Sequence, residues 1–300
     1  MESLYQVAGL SRQALWKAKQ RTQYCETVSS KVVSECRKIR KAHKRMSCRR
    51  MYVKCKERIP VGRDKFESIG FKNGFKVHRK RNTHRTTIAT TEKPYPNLVE
   101  GKVLTGINQV LQSDIFYIKA ENKDHHGISI IDVYSRKLLA LHVSLSMSAD
   151  ENVIALKDTL KIRCKEALKG CILHSDRGSQ YKSQVMLEQL NLLEMIPSMG
   201  LIAQENAYAE RVQGTLKYEY LFEEELTKKN IKSCMKKIKD LYNNERPHSE
   251  LGNLTPTQFE QYVESLPLNE RPIMNIYKWT HPMLNRVPNV NPNNKVRVII

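Results

Sequence analysis

The sequence contains no uninterrupted apolar stretch near the roughly 18 residues that a membrane-spanning helix needs. Its first residues have neither a basic head nor a long apolar segment, so we expect no secretory signal there. The seven cysteines form no Cys-x-x-Cys pair and no His-x-x-x-His pair occurs, which disfavours a zinc site and a disulfide framework. Scattered thiols in an odd number are typical of a reducing compartment. The sequence therefore predicts a cytoplasmic protein without a membrane span.

Acidic side chains are scarce in the first third of the chain. Residues 1–110 contain 26 Lys and Arg against 8 Asp and Glu, a net charge of +18. The other 190 residues contain 25 against 23, a net charge of +2. This asymmetry indicates a nucleic-acid-binding part joined to a part with another task. Binding to a membrane surface is the alternative, but the basic residues spread over several predicted elements rather than along one amphipathic helix.

The chain is long enough for about two domains, and its composition changes near residue 109. The stretch before that point contains prolines and glycines and shows little periodicity, as a linker does. We predict five segments: a basic helical helix-turn-helix region over 1–58, a second helix with a basic wing over 59–85, a linker over 86–108, an α/β core over 109–265 and a tail over 266–300.

Two stretches of the basic third show helical patterning. Residues 3–21 predict two short helices on either side of Gly9, with Ser11 capping the second, as in a helix-turn-helix unit. An ordinary helical hairpin fits this pattern equally well. Residues 26–57 predict a long helix and then a short helix that starts at Ser47.

The end of the basic third predicts a helix followed by a cationic wing. The helix starts after Gly62, and residues 74–81 alternate as a strand does. A helix with such a wing suits contact with the phosphate backbone better than reading of the bases. The DNA contacts expected in this third are Arg12, Arg49, Arg50, Arg63, Lys65, Arg79, Lys80 and Arg81.

From residue 109 the pattern alternates between strands and helices. Strands are predicted at Val110–Ile118, Gly127–Val133, Leu138–Val143, the run that ends at Asp176, and 195–198. Helices are predicted from a capping box at Ser148–Glu151 through Ala167, over 183–194, and from near Glu205. This order of elements predicts an α/β fold with a mixed five-stranded sheet and flanking helices.

Three carboxylates of this core are candidate metal ligands. Asp114 lies in the middle of an apolar strand, where a charge is costly unless it is paired or binds a metal. If the first strand lies beside the fourth, Asp114 and Asp176 face the same edge, and Glu210 on the following helix completes the set. Three carboxylates suit Mg²⁺ or Mn²⁺, and two such ions can cut a phosphodiester. Lys217 follows Glu210 by two helical turns and could meet a DNA phosphate.

Five stretches carry a resemblance to a known family. They are Gln112-Ser-Asp-Ile-Phe-Tyr-Ile118, Ile131-Asp-Val-Tyr-Ser-Arg-Lys137, His174-Ser-Asp-Arg-Gly-Ser-Gln-Tyr181, Glu205-Asn-Ala-Tyr-Ala-Glu-Arg211 and Tyr242-Asn-Asn-Glu-Arg-Pro-His248. In this order they resemble the bacterial insertion-sequence transposases with a retroviral-integrase-like core, specifically the larger second-frame protein. Each stretch alone is weak evidence, but five in the same order are strong. The likeness covers nearly the whole chain.

The resemblance implies a ribonuclease-H-like fold behind an all-helical or winged DNA-binding region. It assigns the catalytic and metal-binding triad to Asp114, Asp176 and Glu210, and a DNA-contacting role to Lys217. The implied activity is metal-dependent cleavage at the ends of a DNA element, followed by transfer of the 3′-hydroxyl into target DNA, with Mg²⁺ or Mn²⁺ as two ions. The implied partners are DNA, further copies of this chain, and a small helix-turn-helix protein from the first frame. A location at the nucleoid follows.

Three departures from the family pattern leave alternatives open. The spacer of 33 residues between Asp176 and Glu210 is short, and Gln112 and Phe116 stand where an aromatic residue and a threonine are usual. A decayed copy that only binds DNA, or a structure-selective nuclease of the same fold, therefore remain as alternatives. For Asp132 a structural role in a turn is favoured over metal ligation.

Glu205 is expected to project from another helix face than Glu210 and to act as a charge at the start of a helix. Arg246 and His248 are expected either near the active site or in local capping.

Overall fold

A computed structural model describes Gly9, residues 11–78, residues 95–200 and residues 203–276. The chain divides into two compact units, with the boundary between Lys80 and Arg81. Several expected features lie outside the described residues: the first of the two short N-terminal helices, the wing residues Arg79, Lys80 and Arg81, residues 86–94 of the linker, and residues 277–300 of the tail.

The described part of the first unit consists of three α-helices. They are α1 (Arg12–Ala42), α2 (Cys48–Cys55) and α3 (Arg63–Lys72). The helix that starts after Ser11 was expected to end near residue 21, and this is wrong, because α1 continues for 31 residues. No glycine or proline interrupts it, and its threonine hydroxyls bond back to carbonyls one turn earlier, as between Thr22 and Ala18. The helices that start near Ser47 and Gly62 are confirmed.

The three helices enclose a small core. Val32, Cys36, Met51 and Phe66 are fully buried in it. Helix α1 contributes Val28, Val32, Cys36 and Ile39, which lie on one face at helical spacing, and α2 and α3 pack against it. The first unit thus buries apolar side chains of all three helices, while most of its basic side chains remain at its surface.

Residues 74–78 form no strand, so the described part of the expected wing is not a β-element. Gly74 has a positive φ of 79° and turns the chain away from α3. Two backbone carbonyl groups of this segment accept hydrogen bonds from arginine side chains of the helical part instead of from a neighbouring strand. Arg40 donates to the carbonyl of Phe75 at 2.8 Å, and Arg45 donates to that of His78 at 2.7 Å.

The second unit is built on a sheet of five strands. The strands of the chain are β1 (Val103–Leu104), β2 (Val110–Ala120), β3 (Lys123–Asp132), β4 (Leu138–Ser144), β5 (Ile172–Ser175), β6 (Ile196–Met199) and β7 (Met274–Asn275). The order in the large sheet is β4-β3-β2-β5-β6. Strands β2, β3 and β4 are antiparallel neighbours, whereas β5 and β6 run parallel to β2. The expected mixed five-stranded sheet of a ribonuclease-H-like fold is confirmed.

Helices cover this sheet. They are α4 (Ala149–Leu160), α5 (Lys165–Leu168), α6 (Gln184–Leu192), α7 (Ala207–Thr215), α8 (Ile231–Asn244) and α9 (Pro256–Glu264), and a π-helical turn (Leu216–Leu221) extends α7. The main apolar core lies between the sheet and α4 and α6 and includes Leu111, Ile130, Leu156 and Leu173. No helix in the described ranges is long and apolar enough to cross a membrane.

Two details of α4 differ from expectation. The capping box does not form, because Glu151 turns instead to β4, where its carboxylate is 2.6 Å from His142 Nε2 and accepts from Ser144 Oγ at 2.7 Å. The helix also ends at Leu160 rather than at residue 167. Arg163 ends it by turning inwards to form a buried ion pair with Glu260 of α9.

The expected linker and tail both contribute to the second unit. Strand β1, inside the predicted linker, pairs with β7, inside the predicted tail, with Val103 opposite Asn275. Val99, Leu104 and Ile276 are buried in one apolar cluster with residues of α9. The apolar side chains of these segments pack against the core, although their irregular spacing shows no period in the sequence.

Candidate active site

Asp114 and Asp176 lie on neighbouring parallel strands. In the register of β2 and β5, Gln112 is opposite His174, and each aspartate stands two residues further along its chain. Because side chains two residues apart in a strand share a face, both carboxylates lie on the same side of the sheet, where β5 ends. Asp176 Oδ1 accepts a hydrogen bond of 3.0 Å from the backbone N–H of Gly178. A Cβ on Gly178 would lie 3.0 Å from the same oxygen, so a side chain there would press on the Asp176 carboxylate.

The charges around Asp114 show that the three candidate carboxylates are neighbours. Burial, and then the negative charge of Asp176, raise the pKa of Asp114 to about 7. The charge of Glu210 acts in the same direction, the N–H of Ile115 and the ammonium of Lys217 lower the pKa, and about 7 is the balance of all these effects. The charges of the other three residues expected in the site therefore all affect the pKa of Asp114.

Glu210 lies in the first turn of α7. The residue is solvent-accessible, yet the protein atoms around its carboxylate desolvate it enough to raise its pKa. Within the described ranges, no three His, Cys, Asp or Glu side chains converge closely enough to hold a metal ion. Three carboxylates repel one another, and side chains at the end of a strand and the start of a helix have room to turn apart. The residues are adjacent, but their oxygens are not gathered into one ligand sphere.

The donor set nevertheless suits a divalent metal. All three side chains offer hard carboxylate oxygens, which Mg²⁺ and Mn²⁺ prefer over nitrogen or sulfur. The raised pKa of Asp114 reflects its burial and then the negative charges of Asp176 and Glu210, and a cation beside it would stabilise the ionised carboxylate. The chemistry of the site therefore fits the metal expected from the sequence.

Lys217 lies in the π-helical turn that extends α7. Its ammonium is 5.4 Å from the centre of the Phe116 ring, on the strand that carries Asp114. Burial lowers the pKa of Lys217, and the charge of Asp114 opposes that effect. The structure thus places the expected basic residue beside the carboxylates.

Phe116, one of the departures from the family pattern, is accommodated by the strand next to it. Its register partner on β3 is Gly127, and its ring is almost completely buried. A Cβ at Gly127 would come within 2.6 Å of the ring. The bulky residue therefore fits because the facing position has no side chain.

Two polar residues of the site had no role assigned from the sequence. Tyr181 is buried, and its hydroxyl lies 2.8 Å from Ser113 Oγ, next to Asp114. Asn206, at the start of α7, donates to the carbonyl of Ser113 at 2.9 Å. Both contacts join residues far apart in sequence, so no local pattern could have shown them.

Asp132 is structural, as the sequence favoured. Its carboxylate is completely buried and accepts from the backbone N–H groups of Asn108, Tyr134 and Ser135 at 2.7, 2.9 and 3.1 Å. It thereby holds the turn after β3. Both of its carboxylate oxygens accept hydrogen bonds from backbone donors, so Asp132 is not placed as a ligand of the candidate site.

Arg246 lies in a buried ion pair and does not face solvent. It donates to Glu219 through Nε at 2.8 Å and through Nη2 at 3.0 Å, and its Nη1 lies beside the His248 ring. Glu219 belongs to the π-helical turn, so this pair ties the extension of α7 to the segment after α8.

The basic residues expected to contact DNA in the first unit are mostly at its surface. Arg12, Arg49, Arg63 and Lys65 are exposed and Arg50 is half-buried. Arg49 and Arg63 also form ion pairs, with Glu67 and Asp64. Their side chains are thus accessible to an anionic partner.

Comparisons with known proteins agree with this architecture. Residues 105–203 and residues 199–256 each match a family described as an integrase core domain. A Shigella sonnei protein, the insertion element IS600 uncharacterized 31 kDa protein, is 30% identical over 210 residues, which cover 68% of this chain and 76% of the relative. A putative transposase for insertion sequence element IS986/IS6110 from Mycobacterium tuberculosis is 26% identical over 214 residues, covering 68% and 77%.

Among solved structures, the catalytic core of the HTLV-2 integrase in complex with magnesium aligns with 55% of this chain and 99% of its own. The identity is 16% and the TM-score is 0.42. The sheet order and the sequence relatives together define a protein with an integrase core. The chain belongs to the bacterial insertion-sequence transposases with a retroviral-integrase-like core.

Proposed function

We propose that this protein cuts DNA at the ends of a mobile element and joins the freed 3′-hydroxyl to target DNA. Asp114, Asp176 and Glu210 are the catalytic carboxylates of this proposal. The observation that carries it is geometric: Asp114 and Asp176 each stand two residues beyond the register pair of Gln112 and His174, on one side of the sheet. Burial, and then the charges of Asp176 and Glu210, raise the pKa of Asp114, and a perturbed carboxyl group of this kind is a feature of functional sites.

The same three side chains would hold Mg²⁺ or Mn²⁺, as two ions. When bound, such ions supply activation of the attacking hydroxyl and stabilisation of the leaving oxygen. The chain itself sets where the oxygens stand: Asp114 is fixed in a central strand, Asp176 in a tight turn and Glu210 in the first turn of a helix.

Lys217 completes the proposed site as a contact for a DNA phosphate. Its ammonium lies on the strand face that carries Asp114, and it is only partly exposed. A cation next to the carboxylates offsets part of the repulsion between them and the phosphodiester backbone. This position supports binding of the reacting strand beside the triad.

The first unit is proposed to bind the DNA, through the basic residues named above. The net charge of +18 over residues 1–110 supports this division of tasks. Bringing two element ends together would require at least two copies of the chain. The small first-frame partner is a proposal that rests on the family alone.

A strand-transfer assay tests the catalytic assignment. The full chain is incubated with element-end DNA, target DNA and Mg²⁺, and Asp176→Asn is compared with wild type. We expect joining by wild type and a loss of about 10³-fold or more in the variant, since charge stabilisation of the reacting phosphate is the main source of catalysis. Asp124→Asn, an exposed carboxylate of β3, is the matched control and should join normally.

The outcomes separate the alternatives. Joining at equal rates by wild type and Asp176→Asn would refute the assignment of the triad. Binding without cutting by wild type would indicate a decayed copy, and cutting without joining would indicate a nuclease of the same fold.

A further inference from the structure

Gln112 is completely buried on β2, two residues before Asp114. Its side chain reaches across to the start of α7. Its Oε1 accepts hydrogen bonds of 3.1 Å from the backbone N–H groups of Tyr208 and Ala209, and its Nε2 donates to the carbonyl of Glu205 at 3.4 Å. A buried amide thus has three backbone partners on one helix terminus.

These contacts replace a local helix cap. The first N–H groups of a helix have no partner within the helix, and a side chain just before the helix usually accepts from its second or third N–H. Asn206 stands at that position in α7 but makes no such bond, because its side chain donates to Ser113 instead. Tyr208 and Ala209 are the second and third residues of the helix, so Gln112 does from β2 what a capping residue does locally.

The consequence concerns the distance between two of the proposed catalytic residues. Glu210 directly follows the two residues whose N–H groups Gln112 holds, and Asp114 follows Gln112 by two positions in the same strand. We infer that Gln112 is a positioning residue that sets where Glu210 stands relative to Asp114. This inference rests on the proposed function of the triad.

The chemistry of glutamine suits this task better than that of similar side chains. A primary amide both accepts and donates, as the partners at Tyr208, Ala209 and Glu205 require. Methionine has a similar shape but leaves the N–H groups without an acceptor, which is costly in a buried place. Glutamate keeps the acceptor, loses the donor and adds a buried negative charge beside Asp114.

The first experiment measures amide hydrogen exchange in the metal-free full chain, so it does not depend on activity. In Gln112→Met the amides of Tyr208 and Ala209 should exchange at least tenfold faster than in wild type. In Gln112→Glu they should stay protected, since the carboxylate still accepts from both. The matched control is Gln109→Met, because the Gln109 amide bonds Thr105 and not α7.

The second experiment measures the Mg²⁺ concentration that gives half-maximal strand transfer. Gln112→Met should raise this concentration about tenfold or more, while DNA affinity and the rate at saturating Mg²⁺ change far less. A purely structural role would lower the amount of folded protein without moving the Mg²⁺ midpoint.

The inference is overturned if Gln112→Met leaves both the exchange of Tyr208 and Ala209 and the Mg²⁺ midpoint within twofold of wild type. It is also overturned if Gln109→Met reproduces the same changes. If Gln112→Met does not fold, loss of protection in Gln112→Glu would overturn it equally. If wild type joins no DNA while the exchange result holds, the proposed function fails and the capping contact stands.

Discussion

The ring of Phe116 covers the backbone of Gly127, its register partner on the neighbouring strand. The ring is 1% exposed, and it also lies under the ammonium of Lys217. One glycine thus makes room for an aromatic side chain two residues from Asp114. Gly127 on β3 thus compensates for the larger side chain at Phe116, which departs from the family pattern.

Gly127→Ala should destabilise the protein. The new Cβ would come within 2.6 and 2.8 Å of the Phe116 ring and within 2.9 Å of Ile118 Cδ1, and all of these atoms are packed in the sheet. Overpacking of this kind costs about 1–3 kcal/mol. Thermal unfolding of the full chain measures the change.

The control is Gly214→Ala in α7, where a new Cβ meets nothing within 4 Å. That variant should be neutral or more stable, since alanine is the better helix former. A Gly127→Ala protein as stable as wild type would contradict the close packing.

Arg246→Leu should destabilise the second unit strongly. It would leave the carboxylate of Glu219 buried without the two hydrogen bonds that it now accepts from the guanidinium. Removing one partner of a buried ion pair costs about 3–5 kcal/mol. Chemical denaturation should show this loss.

The double variant Arg246→Leu with Glu219→Leu should recover a large part of the stability, because no charge then stays buried. A double variant no better than Arg246→Leu would contradict this account. Arg136→Leu is a useful comparison, since its partner Glu250 is partly exposed and also pairs with Arg211, so the loss should be smaller.

The succession of strands and helices was predictable from the sequence because it depends on local hydrophobic patterns, and the candidate carboxylates stood out through their place in those patterns and in ordered motifs. Asp114 is recognisable as a charged residue inside an apolar stretch. Asp176 is recognisable as the end of another apolar stretch, directly before Arg-Gly. The cap that Gln112 supplies was not predictable, because its partners are about 95 residues away in sequence. Glu151 shows the converse: its position fits a capping box, but His142 and Ser144 on a neighbouring strand compete for its carboxylate.

Asp114→Asn should stabilise the metal-free protein at alkaline pH. The pKa of Asp114 is raised from 3.8 to about 7, so the folded chain holds this proton more tightly than the unfolded chain does. The free energy of unfolding therefore falls as the pH rises through that interval. Asparagine cannot ionise, so the variant should exceed wild type in Tm at pH 8, by roughly 2–4 °C for each kcal/mol that ionisation costs the folded wild type, and match it near pH 4.

Scanning calorimetry with a chelator present measures this difference. Asp124→Asn, at an exposed position, keeps Asp114, so its Tm should follow that of wild type at both pH values. An Asp114→Asn protein that is less stable than wild type at pH 8 would show that the carboxylate is not destabilised by its neighbours.

Removal of residues 1–95 should abolish most of the DNA affinity. That segment contains nearly all of the excess positive charge, whereas residues 111–300 are almost neutral. Each phosphate contact contributes about −0.9 to the slope of log affinity against log salt, so the slope should flatten as contacts are lost. Fluorescence anisotropy at several salt concentrations measures both quantities.

A charge-reduced full chain separates lost charge from lost structure. Changing Arg12, Arg49, Arg63 and Lys65 to Gln leaves the three-helix core intact, because these side chains are exposed. If all four contact phosphates, the slope should fall by roughly 3–4. Changing exposed lysines of the second unit, such as Lys157 and Lys165, to Gln is the matched control and should alter the slope little. An unchanged slope in the truncation would place DNA binding on the integrase core instead, and an unchanged slope in the four-residue variant alone would assign the contacts to other basic residues of the first unit.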